Sequence, residues 1–171
     1  MDHLYKIQDH NLTIEPIRHS DLEIMRIWRN SEWARFYFLN STEISSEQQE
    51  KWYLSYLNKE NDYMFMIIWE GQKVGVVALY NHDLQNKTIE FGRLLLVPEM
   101  RGKGIAKKVV FLLTDLSLNE LEANRIVLEV LQTNKVAAKL YEKCGFHFQG
   151  EYIHNGRKII RMEKWLGYDE T

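Results

Sequence analysis

The stretch from residue 93 to 121, RLLLVPEMRGKGIAKKVVFLLTDLSLNEL, constrains the chain more than any other. An apolar run of strand type stops at Pro98. A basic turn with Gly102 and Gly104 follows, and a second apolar run at helical spacing continues to about Leu121. A strand that feeds straight into a long helix must be covered on its faces, so the chain needs at least two packed layers. Gly102 and Gly104 stand beside the charged side chains of Arg101 and Lys103. A helix start leaves backbone N–H groups unpaired and carries partial positive charge, and glycine lets the backbone come close to a ligand. This combination suits a phosphate group, above all a pyrophosphate. A solvated turn with two convenient glycines is the plain alternative.

The remaining sequence extends the same alternation. Residues 11–17 (NLTIEPI) read as a strand. Ser20 or Asp21 then caps a helix with Leu22, Met25 and Trp28 on one face. Ser45 or Ser46 opens a second helix, with Gln48 or Gln49 in a capping-box position and Trp52, Tyr53 and Tyr56 on its apolar side. Residues 63–80 form a hairpin through Glu70-Gly71-Gln72, and residues 82–86 (HDLQN) a polar loop. Residues 87–97 are a strand with a bulge signal at Gly92. Residues 124–131 are a buried strand, and the helix after Asn134 stops at Gly145. The chain closes in a hairpin turning at Asn155-Gly156. The expected order is β-α-α-β-β-β-α-β-α-β-β, an α/β sandwich with helices on both faces of one sheet.

The 171 residues fit a single domain over 1–171 with its core at 11–165, and 45% of them are apolar. A net charge of -2 argues against a general nucleic-acid binder. Cys144 is the one cysteine, so no internal disulfide forms, and a reducing, cytoplasmic setting is expected. Neither an export signal nor a membrane span is evident, and no Cys/His spacing suggests a metal. The turn lacks GxxxxGK[ST], and Gly102-Lys103-Gly104 matches only the first half of a dinucleotide fingerprint.

Two motifs decide the matter together. Arg101-x-x-Gly104-x-Ala106, after Val97-Pro98-Glu99, resembles the coenzyme A loop of the GNAT N-acetyltransferases. About thirty residues on, Asn134-x-x-Ala137-x-x-x-Tyr141 followed by Gly145-Phe146 resembles the second signature of that superfamily. The element order is similar as well. The resemblance implies a GNAT fold, with a mixed, mostly antiparallel sheet of about seven strands and about four helices. It implies acetyl-CoA as co-substrate, no metal, a small-molecule amine as acceptor and, as is common in the family, a homodimer. It further implies that backbone groups of Leu95, Leu96 and Val97 hold the pantetheine arm and that the N–H groups from Arg101 through Gly102, Lys103, Gly104 and Ile105 to Ala106 cradle the pyrophosphate. Asn134, with Ala137 in the same motif, meets the pantetheine, and Tyr141 protonates the departing thiolate. Glu90, in Glu90-Phe91-Gly92, resembles the acidic strand residue that takes the amine's proton directly or through water; His82 and Glu129 are weaker candidates. Cys144 reads as helix-end packing.

The acceptor is chosen by the first part of the chain. Ile27-Trp28-Arg29-Asn30 and the segment from Ile44 to Trp52 resemble a subgroup that includes nucleotide-linked amino-sugar and ribosomal-protein N-terminal acetyltransferases. On that reading Trp28 and Trp52 line the acceptor pocket and Arg29 or Arg35 holds a diphosphate. The competing acceptor is a polyamine. Residues 140–162 resemble the closing segment of spermidine acetyltransferases, and Glu32, Glu43, Glu47 and Glu50 offer carboxylates. A non-catalytic acyl-CoA sensor is the reading from another class, and turnover with a panel of amines separates it from an enzyme.

Overall fold

The computed structural model describes residues 3–35, 37 and 42–167. A short strand β1 (Ile7–Asp9) turns into β2 (Leu12–Pro16), and a 3-10 turn leads into helix α1 (Leu22–Asn30). A one-turn helix α2 (Glu32–Arg35) and helix α3 (Ser46–Leu57) follow. Strands β3 (Tyr63–Trp69), β4 (Gln72–Asp83) and β5 (Thr88–Leu96) precede helix α4 (Ile105–Asn119). The chain ends in β6 (Arg125–Leu131), α5 (Lys135–Lys143), β7 (His147–His154) and β8 (Arg157–Trp165). The strand order is β1-β2-β3-β4-β5-β6-β8-β7. β5 runs parallel to β6 with Thr88, Ile89 and Glu90 opposite Arg125, Ile126 and Val127. β6 pairs antiparallel with β8, and β8 with β7.

Local chemistry explains most boundaries. The hairpins β3–β4 and β7–β8 turn on Glu70-Gly71 and Asn155-Gly156, all four at positive φ between 47° and 79°, as a two-residue turn matched to strand twist requires. Ser45 caps α3 reciprocally with Gln48. Leu22, Met25 and Trp28 are buried on one face of α1, and Tyr53 and Tyr56 on one face of α3. Gly145, at φ 85°, ends α5.

The mixed sheet was expected, with differences in detail. There are eight strands rather than about seven, because β1 pairs with β2 through the two-residue turn His10-Asn11. α2 adds a short helix beyond the four expected. β4 extends to Asp83, so His82 and Asp83 belong to a strand rather than to the polar loop. The fold divides into two compact units. The first holds Met1–Ala78 and Arg93–Ile105, and the second Leu79–Gly92 and Ala106–Thr171. The first has its core on α1, α3, β3 and the start of β4; the second has its core on α4, β6, Phe91, Tyr141 and Phe146. No helix among the described residues is long and apolar enough to cross a membrane, and no group of three or more His, Cys, Asp or Glu side chains there could hold a metal ion.

Candidate active site

In the first unit, the end of β5 and the glycine turn form one continuous piece. Val97 donates its N–H to the Val74 carbonyl at 2.9 Å, which ties β5 to β4. Strand alternation then turns the Leu96 N–H to the opposite edge. Of the expected trio Leu95, Leu96 and Val97, the Val97 N–H is therefore already used inside the sheet, and Leu96 offers the outward one. Gly75 makes the junction close. A Cβ there would lie 2.1 Å from the Leu95 carbonyl oxygen, a distance no side chain survives. After Pro98–Met100, Gly102 and Gly104 adopt φ 75° and 80°, the left-handed region that favours glycine. A Cβ at either would meet nothing within 4 Å. These glycines serve the backbone's shape and leave open space against it, as a bound anion needs. Among the described residues, no hydrogen bond takes the N–H of Gly102, Lys103 or Gly104. The Arg101 guanidinium is anchored from behind, 5.0 Å from the Trp33 ring centroid, with Nε donating to the Leu96 carbonyl at 3.3 Å.

The same unit contains a cavity of about 290 Å³. Met25, Ile44, Trp52, Met64, Val76 and Leu95 make most of its wall, and Arg29, Arg93, Gln48 and Gln49 supply the polar groups. Trp52 stacks on Tyr56, with ring planes 12° apart. Arg93 forks onto Asp62, at 2.7 and 3.1 Å. Burial, and then the positive charge of Arg35, lowers the pKa of Arg29. Of the four expected acceptor residues, Arg29 and Trp52 line this cavity. Trp28 instead packs into the core, 8% exposed, because its position on α1 continues the buried stripe of Leu22 and Met25. Arg35 is not part of the lining and donates to Glu43 at 2.9 Å. Arg93 was missed from the sequence; its only signal was its place next to the Gly92 bulge position.

In the second unit, Asn134 caps α5. Its Oδ1 accepts the Ala137 N–H at 3.2 Å, which leaves Nδ2 as the donor able to meet a ligand. The motif spacing Asn134-x-x-Ala137 is thus the spacing of a helix cap. Tyr141 lies about two turns beyond Asn134, buried, its ring edge-on to Phe91 and to Phe146 at 5.9 and 6.0 Å. Burial holds the Tyr141 phenol well above the ordinary tyrosine range, so it is protonated at any working pH. Glu90 is held at both oxygens: Tyr80 Oη donates to Oε1 at 2.6 Å and Asn81 Nδ2 to Oε2 at 2.9 Å. Glu129, the weaker candidate, accepts from Tyr152 Oη at 2.7 Å and faces Arg161 at 3.4 Å. Cys144 is buried at the end of α5.

A sequence model of the acetyltransferase (GNAT) domain matches residues 11–147. The chain belongs to the GNAT acetyltransferase family. This acetyltransferase is 28% identical over 160 residues to the spermidine N(1)-acetyltransferase of Escherichia coli K12, across 90% of its own length and 85% of the relative's. It is also 28% identical over 171 residues to the Vibrio cholerae spermidine N(1)-acetyltransferase, across 93% and 98% of the two chains. Its fold matches the crystal structure of the Vibrio cholerae spermidine N-acetyltransferase in complex with CoA and spermine, with a TM-score of 0.83 and 24% identity over 92% and 96% of the chains. The GNAT resemblance is thereby established, and the chain is an N-acetyltransferase with acetyl-CoA as its donor. The amino-sugar acceptor finds no support among these relatives, and the polyamine alternative fits them better.

Proposed function

We propose that this enzyme acetylates a primary amine of a polyamine by direct attack within a ternary complex. The observation that carries the reading is its similarity, along nine-tenths of the chain, to spermidine N(1)-acetyltransferases. Acetyl-CoA supplies the thioester carbon that the amine attacks. Of the expected run from Arg101 to Ala106, the Arg101 N–H is spent on the Pro98 carbonyl at 3.1 Å, so the N–H groups from Gly102 to Ala106 hold the pyrophosphate, supported by the open backbone at Gly102 and Gly104. The Leu96 N–H and the Asn134 Nδ2 engage the pantetheine arm. Glu90 accepts the proton the ammonium must lose before its lone pair can attack. As the C–N bond forms and the C–S bond breaks, Tyr141 gives its proton to the sulfur and is reprotonated from solvent.

The test measures coenzyme A release from acetyl-CoA with spermidine, spermine, a nucleotide-linked amino sugar, an aminoglycoside and an N-terminal peptide. The reading requires spermidine or spermine to give the highest kcat/KM, and it falls if neither turns over. One observation favours a second acceptor. Among the described residues, Arg29 and Arg93 line the cavity and no carboxylate does, although Arg93 forks onto Asp62 behind the wall; Glu43, Glu47 and Glu50 are engaged by Arg35, Lys51 and His19. An amine carrying an anionic group, as a nucleotide-linked amino sugar does, would suit that lining. Turnover of the amino sugar alone would select it.

A further inference from the structure

We infer that Tyr80, assisted by Asn81, is the positioning residue for Glu90; this rests on the reading of Glu90 as the base. A glutamate on a strand has three rotatable side-chain bonds, and a base must stand within hydrogen-bond reach of the proton it removes. Two donors fix this carboxylate, one at each oxygen: Tyr80 Oη at 2.6 Å from Oε1 and Asn81 Nδ2 at 2.9 Å from Oε2. A carboxylate oxygen accepts two hydrogen bonds, so each keeps a lone pair for the amine or its water. Charge-assisted O–H···O⁻ bonds of this length are strong and directional.

Two backbone features serve this arrangement. Asn81 sits at φ 50° inside β4, a conformation that Asn tolerates better than most residues and that persists where its surroundings demand it. Gly92 lies two residues after Glu90 on β5. A Cβ there would come within 2.7 Å of Tyr80 Oη and 3.1 Å of its ring. The glycine is therefore the clearance that lets the tyrosine hydroxyl reach Glu90. The nearby Tyr152 cannot take its place, because its hydroxyl donates to Glu129. Tyr80 has no part in proton transfer; it keeps the acceptor oxygen where the proton will be.

The experiment is a double-mutant cycle with acetyl-CoA and spermidine, or the panel amine of highest kcat/KM. It compares wild type, Tyr80→Phe, Glu90→Gln and the double variant, each with its thermal midpoint. Tyr80→Phe should lower kcat about tenfold, with KM for acetyl-CoA unchanged. Glu90→Gln should lower it about a hundredfold, and Tyr80→Phe should cost little more in that background. Gly92→Ala should reproduce the Tyr80→Phe loss without removing any polar group. Wild-type kcat in Tyr80→Phe, or losses that multiply in the double variant, would overturn the positioning role alone. Wild-type kcat in Glu90→Gln would instead overturn the base and this inference with it.

Discussion

At the residue scale, Tyr141 combines two properties that an acid for a thiolate needs. Its hydroxyl stays protonated, because burial between Phe91 and Phe146 penalises the phenolate, and its ring has no room to turn away. Tyr141→Phe keeps the packing and removes the proton. Turnover should fall about a hundredfold in steady-state kinetics, while calorimetric acetyl-CoA affinity stays near wild type. The same burial has a consequence for stability. The folded phenol ionises well above its ordinary value of 10.0, so the unfolded chain loses this proton first as pH rises. The contribution is therefore complete below pH 10 and lost above it. Melting temperatures across pH 8 to 11 should decline less steeply above pH 10 in Tyr141→Phe than in wild type. Tyr141 was legible in the sequence because a motif fixes its distance from Asn134 and Gly145. Tyr80 was not: a tyrosine near the end of an apolar strand reads the same whether it packs or donates, and its partner lies on another strand.

At the element scale, the strand β5 and the turn after it depend on glycines for two different reasons. Gly75 is glycine because the Leu95 carbonyl occupies the place of its side chain, and backbone cannot give way there. Gly104 is glycine because its φ of 80° is costly for any other residue, although the space around it is open. The two therefore fail differently. Gly75→Ala should unfold at markedly lower denaturant, by about 3 kcal/mol or more, and affect acetyl-CoA binding only through stability. Gly104→Val should lose about 1–2 kcal/mol of stability but far more in acetyl-CoA affinity, because the side chain fills the space left for phosphate. Calorimetry and chemical unfolding on the same preparations separate the two. The elements themselves were largely readable wherever glycine marks a turn, as at Glu70-Gly71 and Asn155-Gly156. β1 escaped because Ile7-Gln8-Asp9 has a single apolar residue and its turn, His10-Asn11, has no glycine. The end of β4 escaped because His82 and Asp83 have loop composition, and strand pairing overrides it.

At the scale of the whole molecule, donor and acceptor chemistry were legible to different depths. The coenzyme loop and the α5 motif are short, local and tied to backbone geometry, so residue types at fixed spacing report them. The cavity proposed for the acceptor draws its residues from α1, α3, β3, β4 and β5 and from Ile44 ahead of α3, and no spacing along the chain announces such a set. Of the residues expected at the acceptor, Arg29 and Trp52 line this cavity and Trp28 packs in the core, while Arg93 lines it without having been singled out from the sequence. Charge supplies the test that similarity to relatives cannot. Arg29 stands in the cavity wall beside Gln48, Gln49 and Trp52, so its charge is the one to vary in a test of acceptor choice. A guanidinium in a mostly apolar wall repels a second ammonium and attracts an anionic group more strongly than it would in water. Arg29→Gln keeps hydrogen-bonding capacity and removes the charge. If a polyamine is the acceptor, kcat/KM for spermidine in this variant should rise severalfold at low salt, and the gain should shrink as salt screens it. If an anionic amine is the acceptor, the same change should cost tenfold or more, since a charge-assisted contact is lost. Unchanged kcat/KM for both amines would remove Arg29 from acceptor recognition and return the choice to the apolar walls around Trp52.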